Sequence, residues 1–239
     1  STIATSGSDV GTYPILVEGA EDPNYSIQYM EGQLEVTQAK LTIRAEAKSK
    51  IYGQGNPPLT FIYEGLVNGD TRISREPSIS TPAMEISQVG SYAINLGNAK
   101  DPNYSIHYEE SELSILPAEL FVKADDKSKI YGEDNPILTY TYLGLVNGDV
   151  GISGEPSLST TAARESPVGE YGIEISGAAD DNYVITYQEG TLTVGKKELI
   201  IRAEDQSKVY GEPNPVLTFT YTGLVNGDTQ TDTPPSLST

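Results

Sequence analysis

Short alternating runs of apolar and polar residues fill most of the chain. LTIRA at 41–45 puts Leu41, Ile43 and Ala45 on one face, and LTFIY at 59–63 does the same with Leu59, Phe61 and Tyr63. YAINL at 92–96 aligns Tyr92, Ile94 and Leu96. YSIHY at 104–108 aligns Tyr104, Ile106 and Tyr108, and ELSIL at 112–116 aligns Leu113 and Ile115. A period of two over four to six residues is the mark of a half-buried strand. No segment carries an apolar stripe at helical spacing long enough for a helix; one short helical turn is expected at most, after GLVNGD.

The connections between these runs carry turn chemistry. GLVNGD occurs at 65–70, 144–149 and 223–228, and its Asn-Gly pair is a strong turn signal. DPNY, DPNY and DDNY place Asp and Asn ahead of a strand, where the side chains can bond nearby backbone N–H groups. YGQGNP, YGEDNP and YGEPNP form Gly/Pro-rich bends, and Asn before Pro is pushed towards an extended exit. YMEGQL, YEESEL and YQEGTL read as tight antiparallel hairpins between two alternating runs. Gly32 and Gly190 suggest a favoured left-handed residue there, which Ser111 shows is not obligatory.

All these segments recur with one period. Tyr52, Tyr131 and Tyr210 are 79 residues apart, as are Val10, Val89 and Val168, and Asn24, Asn103 and Asn182. A unit of this length is large enough for its own core, so the pattern implies tandem domains rather than a solenoid. Each should hold about five to seven short strands. The expected fold is all-β, an immunoglobulin-like sandwich repeated in tandem, with a β-grasp-like sheet plus one short helix as the alternative. The junctions, such as LSILPAELFVKA, contain no Gly/Ser linker, so the repeats should stack stiffly as a rod on the order of 100 Å long, at ~3.3 Å per strand residue. Two phases fit the period. One gives the C-terminal part of a repeat at 1–38, whole repeats at 39–117 and 118–196, and an N-terminal part at 197–239. The other gives three whole domains at 1–79, 80–158 and 159–239. In the first, the terminal halves expose unpaired strand edges and should be disordered or swapped, which favours either the second phase or terminal halves that pair between molecules. The abrupt start reads as a piece of a longer chain.

Composition narrows the classes of function. The 239 residues carry a net charge of −19, which disfavours nucleic acid and anionic membranes as partners. There is no Trp, with 3 Phe and 2 Met, so 16 Tyr are the main large residues. The absence of Cys removes disulfides, zinc-thiolate sites and thiol nucleophiles. No apolar run approaches the ~18 residues of a membrane span.

The ordered motif SKxYGxxNPxLTxxYxGLVNGD, followed by VGxYxI, NYxIxY and GxLxV, resembles the MBG domain of the YGX type, and the resemblance covers the whole chain. Departures are small: Ser111 for Gly, and Gly154 and Thr233 where the first copy has Arg75. The resemblance implies a secreted, extracellular repeat of bacterial cell-surface, adhesin-like proteins, one that extends or displays other domains and has no known catalytic residues.

Candidate chemistry is sparse. The single His, His107, corresponds to Gln28 and Thr186 and lies opposite Ile106 in the alternation, so it reads as an exposed strand residue and no enzyme is expected. Calcium is the candidate cofactor: Asp22, Asp101, Asp180, Asp70, Asp149 and Asp228 recur in loops rich in carbonyl oxygen, although the carboxylate density of a dedicated calcium loop is missing. A glycan platform would need exposed rings, whereas Tyr25, Tyr29, Tyr104, Tyr108, Tyr183 and Tyr187 share parity with core isoleucines. Lys50, Lys129 and Lys208, beside Asn56, Asn135 and Asn214, raise the further idea of a Lys–Asn isopeptide crosslink. The expected role is a stalk segment whose partners are the neighbouring repeats, with a glycan- or protein-binding adhesive module as the alternative.

Overall fold

The computed structural model describes residues 1–239. It is all-β, with eighteen short strands and no helix. The helical turn expected after GLVNGD is absent, and turns and bends occupy that segment.

Two compact units divide the chain, 1–118 and 119–239. The first begins with a two-stranded antiparallel ribbon of β1 (Gly11–Ile15) and β2 (Gly32–Val36). The seven strands that follow are β3 (Ala39–Ala45), β4 (Lys48–Ile51), β5 (Phe61–Glu64), β6 (Ser78–Ser80), β7 (Gly90–Gly97), β8 (Tyr104–Glu109) and β9 (Ser111–Leu116). They form a three-stranded sheet in the order β5-β3-β8 and a four-stranded sheet in the order β4-β9-β7-β6. The pairings β3–β8 and β4–β9 are parallel; β3–β5, β7–β9 and β6–β7 are antiparallel.

The inward faces match the alternation. Leu41, Ile43 and Ala45 of β3, Ile94 of β7, and Leu113 and Ile115 of β9 are all buried. Leu41, Ile43, Ile73 and Tyr104 form a cluster against which Phe61, Tyr63 and Leu96 pack, so side chains from both sheets share the core. On the outer face Arg44 bridges its two strand neighbours, 3.2 Å from Glu64 and 2.6 Å from Glu109. Those pairs are exposed and solvent-screened, so they contribute little to stability.

The second unit repeats this plan with β10 (Ala118–Ala124), which begins at the unit boundary, then β11 (Lys127–Ile130), β12 (Tyr140–Leu143), β13 (Ser157–Thr160), β14 (Gly169–Ser176), β15 (Tyr183–Gln188) and β16 (Gly190–Gly195). Their sheets run β12-β10-β15 and β11-β16-β14-β13, the orders of the first unit. An antiparallel ribbon of β17 (Ile200–Ala203) and β18 (Phe219–Thr222) closes the chain.

One local expectation fails. YEESEL is not a hairpin. It joins β8 to β9, which belong to different sheets, so the chain arches from one layer to the other. YQEGTL does the same between β15 and β16. Gly190 is not left-handed there; a Cβ would sit 2.7 Å from the Ala124 carbonyl oxygen, so close approach of two backbones explains the residue.

Candidate functional site

GLVNGD folds as a turn closed by the Asp70 N–H bond to the Val67 carbonyl, with Asn68 and Gly69 both at positive φ (55° and 81°). That pair of left-handed residues is what an Asn-Gly sequence supplies at least cost. Its first glycine is fixed for a second reason. At Gly144, with φ of 110°, a Cβ would lie 2.7 Å from the Glu119 carbonyl oxygen.

The turn is knotted to a second motif. The Tyr104 hydroxyl accepts the Val67 N–H at 3.0 Å and donates to Asp70 Oδ2 at 2.7 Å. In the next repeat Tyr183 binds Val146 N–H at 3.1 Å and Asp149 at 2.6 Å. Tyr104 is buried, and burial together with the Asp70 carboxylate pushes its phenol up. Tyr63 is pushed up the same way, by burial and its bond to Glu76.

The DPN motif makes a second latch. Asp101 Oδ1 accepts the Asn103 N–H at 2.9 Å, the Asx turn expected from sequence, while Oδ2 accepts the Ser74 N–H at 3.0 Å and the Ser74 hydroxyl at 2.9 Å. Asp180 repeats the set with Asn182 and Ser153. Burial alone would raise both carboxyls; the backbone bonds outweigh it and hold Asp101 and Asp180 below the ordinary range. Asp22, in the terminal part of a repeat, makes the Asx bond to Asn24 at 2.7 Å.

Lys50 and Lys129 are the buried charged residues of the chain. Lys50 Nζ donates to the carbonyls of Gln54, Met84 and Glu85, at 2.9, 2.8 and 3.3 Å. Burial pushes its ammonium down, with Glu85 opposing. Asn56 Nδ2 donates to the Ala83 carbonyl at 2.6 Å. Both side chains of the isopeptide idea therefore hold one segment, 83–85, through backbone carbonyls. Lys129 and Asn135 repeat this arrangement on Ala163 and Ala162. Sequence reasoning missed the burial of these lysines; their recurrence two residues before the Tyr of each Tyr-Gly bend was the available signal.

The junctions between consecutive repeats reuse the same motifs. Within 1–118, the Val10 N–H donates to Asn103 Oδ1 at 2.9 Å and Asn103 Nδ2 donates to Asp9 Oδ1 at 2.8 Å. Gln38 Nε2 reaches the Pro102 carbonyl at 3.0 Å. Within 119–239, the Tyr131 hydroxyl donates to Asp228 Oδ2 at 3.1 Å. Gly132, at φ of 86°, lets Val225 approach so closely that a Cβ would meet its methyl at 2.4 Å. The Tyr-Gly bend of one repeat thus receives the GLVNGD turn of the next.

The six candidate aspartates do not converge. No group of three or more His, Cys, Asp or Glu side chains able to hold a metal ion forms. Asp70, Asp149 and Asp228 face tyrosine hydroxyls, while Asp22, Asp101 and Asp180 cap backbone. His107 is exposed on β8.

The MBG domain (YGX type) matches the chain four times, at residues 1–35, 41–114, 120–193 and 199–239. The chain belongs to the MBG family. The four MBG matches coincide with the ribbon β1–β2, the seven strands β3–β9, the seven strands β10–β16, and the ribbon β17–β18. Among curated proteins, none matches the chain.

Proposed function

We propose that these MBG repeats are a structural spacer of a bacterial surface protein, a stalk segment that carries a functional domain elsewhere in the longer polypeptide. The fate of the recurring polar residues supports this reading. Asp70, Asp101, Lys50 and Asn56 bond within their own repeat, and Asn103 bonds to the preceding one. Residues that would serve a ligand are instead spent on turns and junctions, which suits a module that holds its shape and joins its neighbours. In whole repeats the aromatic rings Tyr104 and Tyr183 are buried, which weighs against a sugar platform. A charge of −19 keeps such a segment soluble and apart from anionic surfaces.

Arrays of glycans and extracellular host proteins test the proposal with the 239-residue chain as probe. No reproducible binding is expected; a hit that a GLVNGD or DPN loop substitution abolishes would replace the spacer with an adhesive module.

A further inference from the structure

The outer face of the three-stranded sheet changes character between the two whole repeats. In 39–117 it carries Thr42, Arg44, Glu64 and Ser105, and Arg44 is engaged by Glu64 and Glu109. One period on, the same positions hold Phe121, Lys123, Leu143 and Val184, with Gln188 in place of Glu109. The ion-pair fork is gone. Three polar side chains have become apolar together, and Phe121, Leu143 and Val184 are 45%, 52% and 54% exposed. Phe121 and Leu143 pair directly across β10 and β12. On the other side of β10 lies β15, where Val184 takes the place beside Glu119 that Ser105 takes beside Lys40. The apolar patch thus spans all three strands, which marks an interaction surface more than scattered exposure would.

Charge selects the occupant. Along β10 the residues that alternate outward are Glu119, Phe121 and Lys123. Neither Glu119 nor Lys123 belongs to an ion pair of the chain. Asp125, the next carboxylate along, is engaged by the Thr139 and Thr141 hydroxyls. The order acidic, aromatic, basic is self-complementary. A second β10 laid face to face and antiparallel sets Phe121 against Phe121 and each Glu119 against a Lys123, as a twofold contact requires. Parallel stacking would oppose like charges. The other whole repeat has Lys40, Thr42 and Arg44 in this order, which would set cation against cation.

We propose that the outer face of β12-β10-β15 is a docking surface for a second copy of the chain, which packs its own β10 antiparallel across it about a twofold axis at Phe121. The face is small. Three strands ~4.8 Å apart, the longest of seven residues, present roughly 300 Å² per copy. A standard stable interface takes about 800 Å² per partner. The pairing is therefore weak and reversible, with a Kd on the order of 1 mM. The net charge of −19 also opposes association, but its long-range part is screened beyond ~8 Å at physiological salt.

Sedimentation equilibrium up to millimolar concentration tests this. The unaltered chain is expected to rise from 25.7 kDa towards twice that mass. Phe121→Thr and Leu143→Glu install the residues that the other whole repeat carries at these positions, so the fold is kept, and both variants are expected to stay monomeric. Glu119→Lys alone opposes two lysines, and Lys123→Glu alone opposes two glutamates. Each is expected to weaken association roughly tenfold or more. Their equimolar mixture is expected to recover it, because every charge contact then joins Lys to Glu, and so is the double variant. A mass of 25.7 kDa at every concentration overturns the second-copy assignment and leaves the patch to a partner of different sequence. Association that survives Phe121→Thr overturns the surface. Single charge variants that associate like the unaltered chain, or a mixture that does not recover, overturn the antiparallel register.

Discussion

The same motifs appear three times in this chain, twice within whole repeats and once in a terminal part. In the whole repeat at 39–117, Tyr52 is 6% exposed and Ile43 is fully buried; their counterparts Tyr210 and Ile201, in the part at 197–239, are 103% and 42% exposed. The local sequence is nearly unchanged, KIYG against KVYG and LTIRA against LIIRA. The partner strands differ. LIIRA still forms β17 beside β18, whereas 206–209 forms no strand, so enclosure of both motifs, and strand formation at the second, depend on the completed sheets, as expected where side-chain packing outweighs intrinsic preference. Lys208 makes the same point: it keeps the bond to its own loop, Glu212 O at 3.2 Å, while Lys50 also holds the carbonyls at 84 and 85.

Paired substitutions sharpen the comparison. The largest contrast is expected for Ile43→Ala against Ile201→Ala. The first opens a cavity in a closed core and should cost about 2–5 kcal/mol in denaturant unfolding. The second should change stability by roughly 0.5 kcal/mol or less in a monomeric sample. Equal losses would mean that the terminal ribbon is as tightly packed as the whole repeat.

Next in size is Lys50→Met against Lys208→Met. Removing the buried ammonium leaves three carbonyls without their donor, at a cost of about 1–3 kcal/mol. The exposed lysine should be replaceable with little change in melting.

A smaller effect comes from Tyr104→Phe, which unties the GLVNGD turn from the NY motif and should cost about 1 kcal/mol. Tyr25→Phe is expected to be silent in the monomer. The raised phenols of Tyr104 and Tyr63 set a matching pH dependence: their contribution is complete below the ordinary tyrosine range, ~10, and is lost as pH rises above it. Asp101 and Asp180 act at the other end. Their depressed carboxyls contribute stability above ~3.9 that is lost as pH falls through the folded range. Asp101→Asn should flatten part of that acid limb in pH-dependent melting. The smallest expected effect is that of EDTA: melting should be unchanged, since the six aspartates face hydroxyls or cap backbone, and a downward shift would restore calcium as a structural ion.

Much of this was legible in sequence. The alternation placed Leu41, Ile43, Leu113 and Ile115 inward, and the DPN motif gave its Asx turn, because both signals depend on a few adjacent residues. Partner choice was not legible. YEESEL carries the polar break of a hairpin, yet β8 pairs in parallel with β3, some 65 residues earlier, and only a register across sheets distinguishes an arch from a hairpin. Asp70 and Asp228 looked like metal ligands because sequence shows neither Tyr104 nor Tyr131 opposite them. Lys50 looked like half of a crosslink because its three carbonyl partners carry no side-chain signature.

Amide hydrogen exchange at a dilution where the chain is monomeric tests the central claim most directly, that these motifs become strands only beside their partners. The amides of 104–109 and 183–188 that face β3 and β10 are expected to be protected by orders of magnitude, while those of 25–30 exchange at nearly unfolded rates. Comparable protection of 25–30 in the monomer would contradict it, since the motif would then form its strand without the partner that the whole repeats supply.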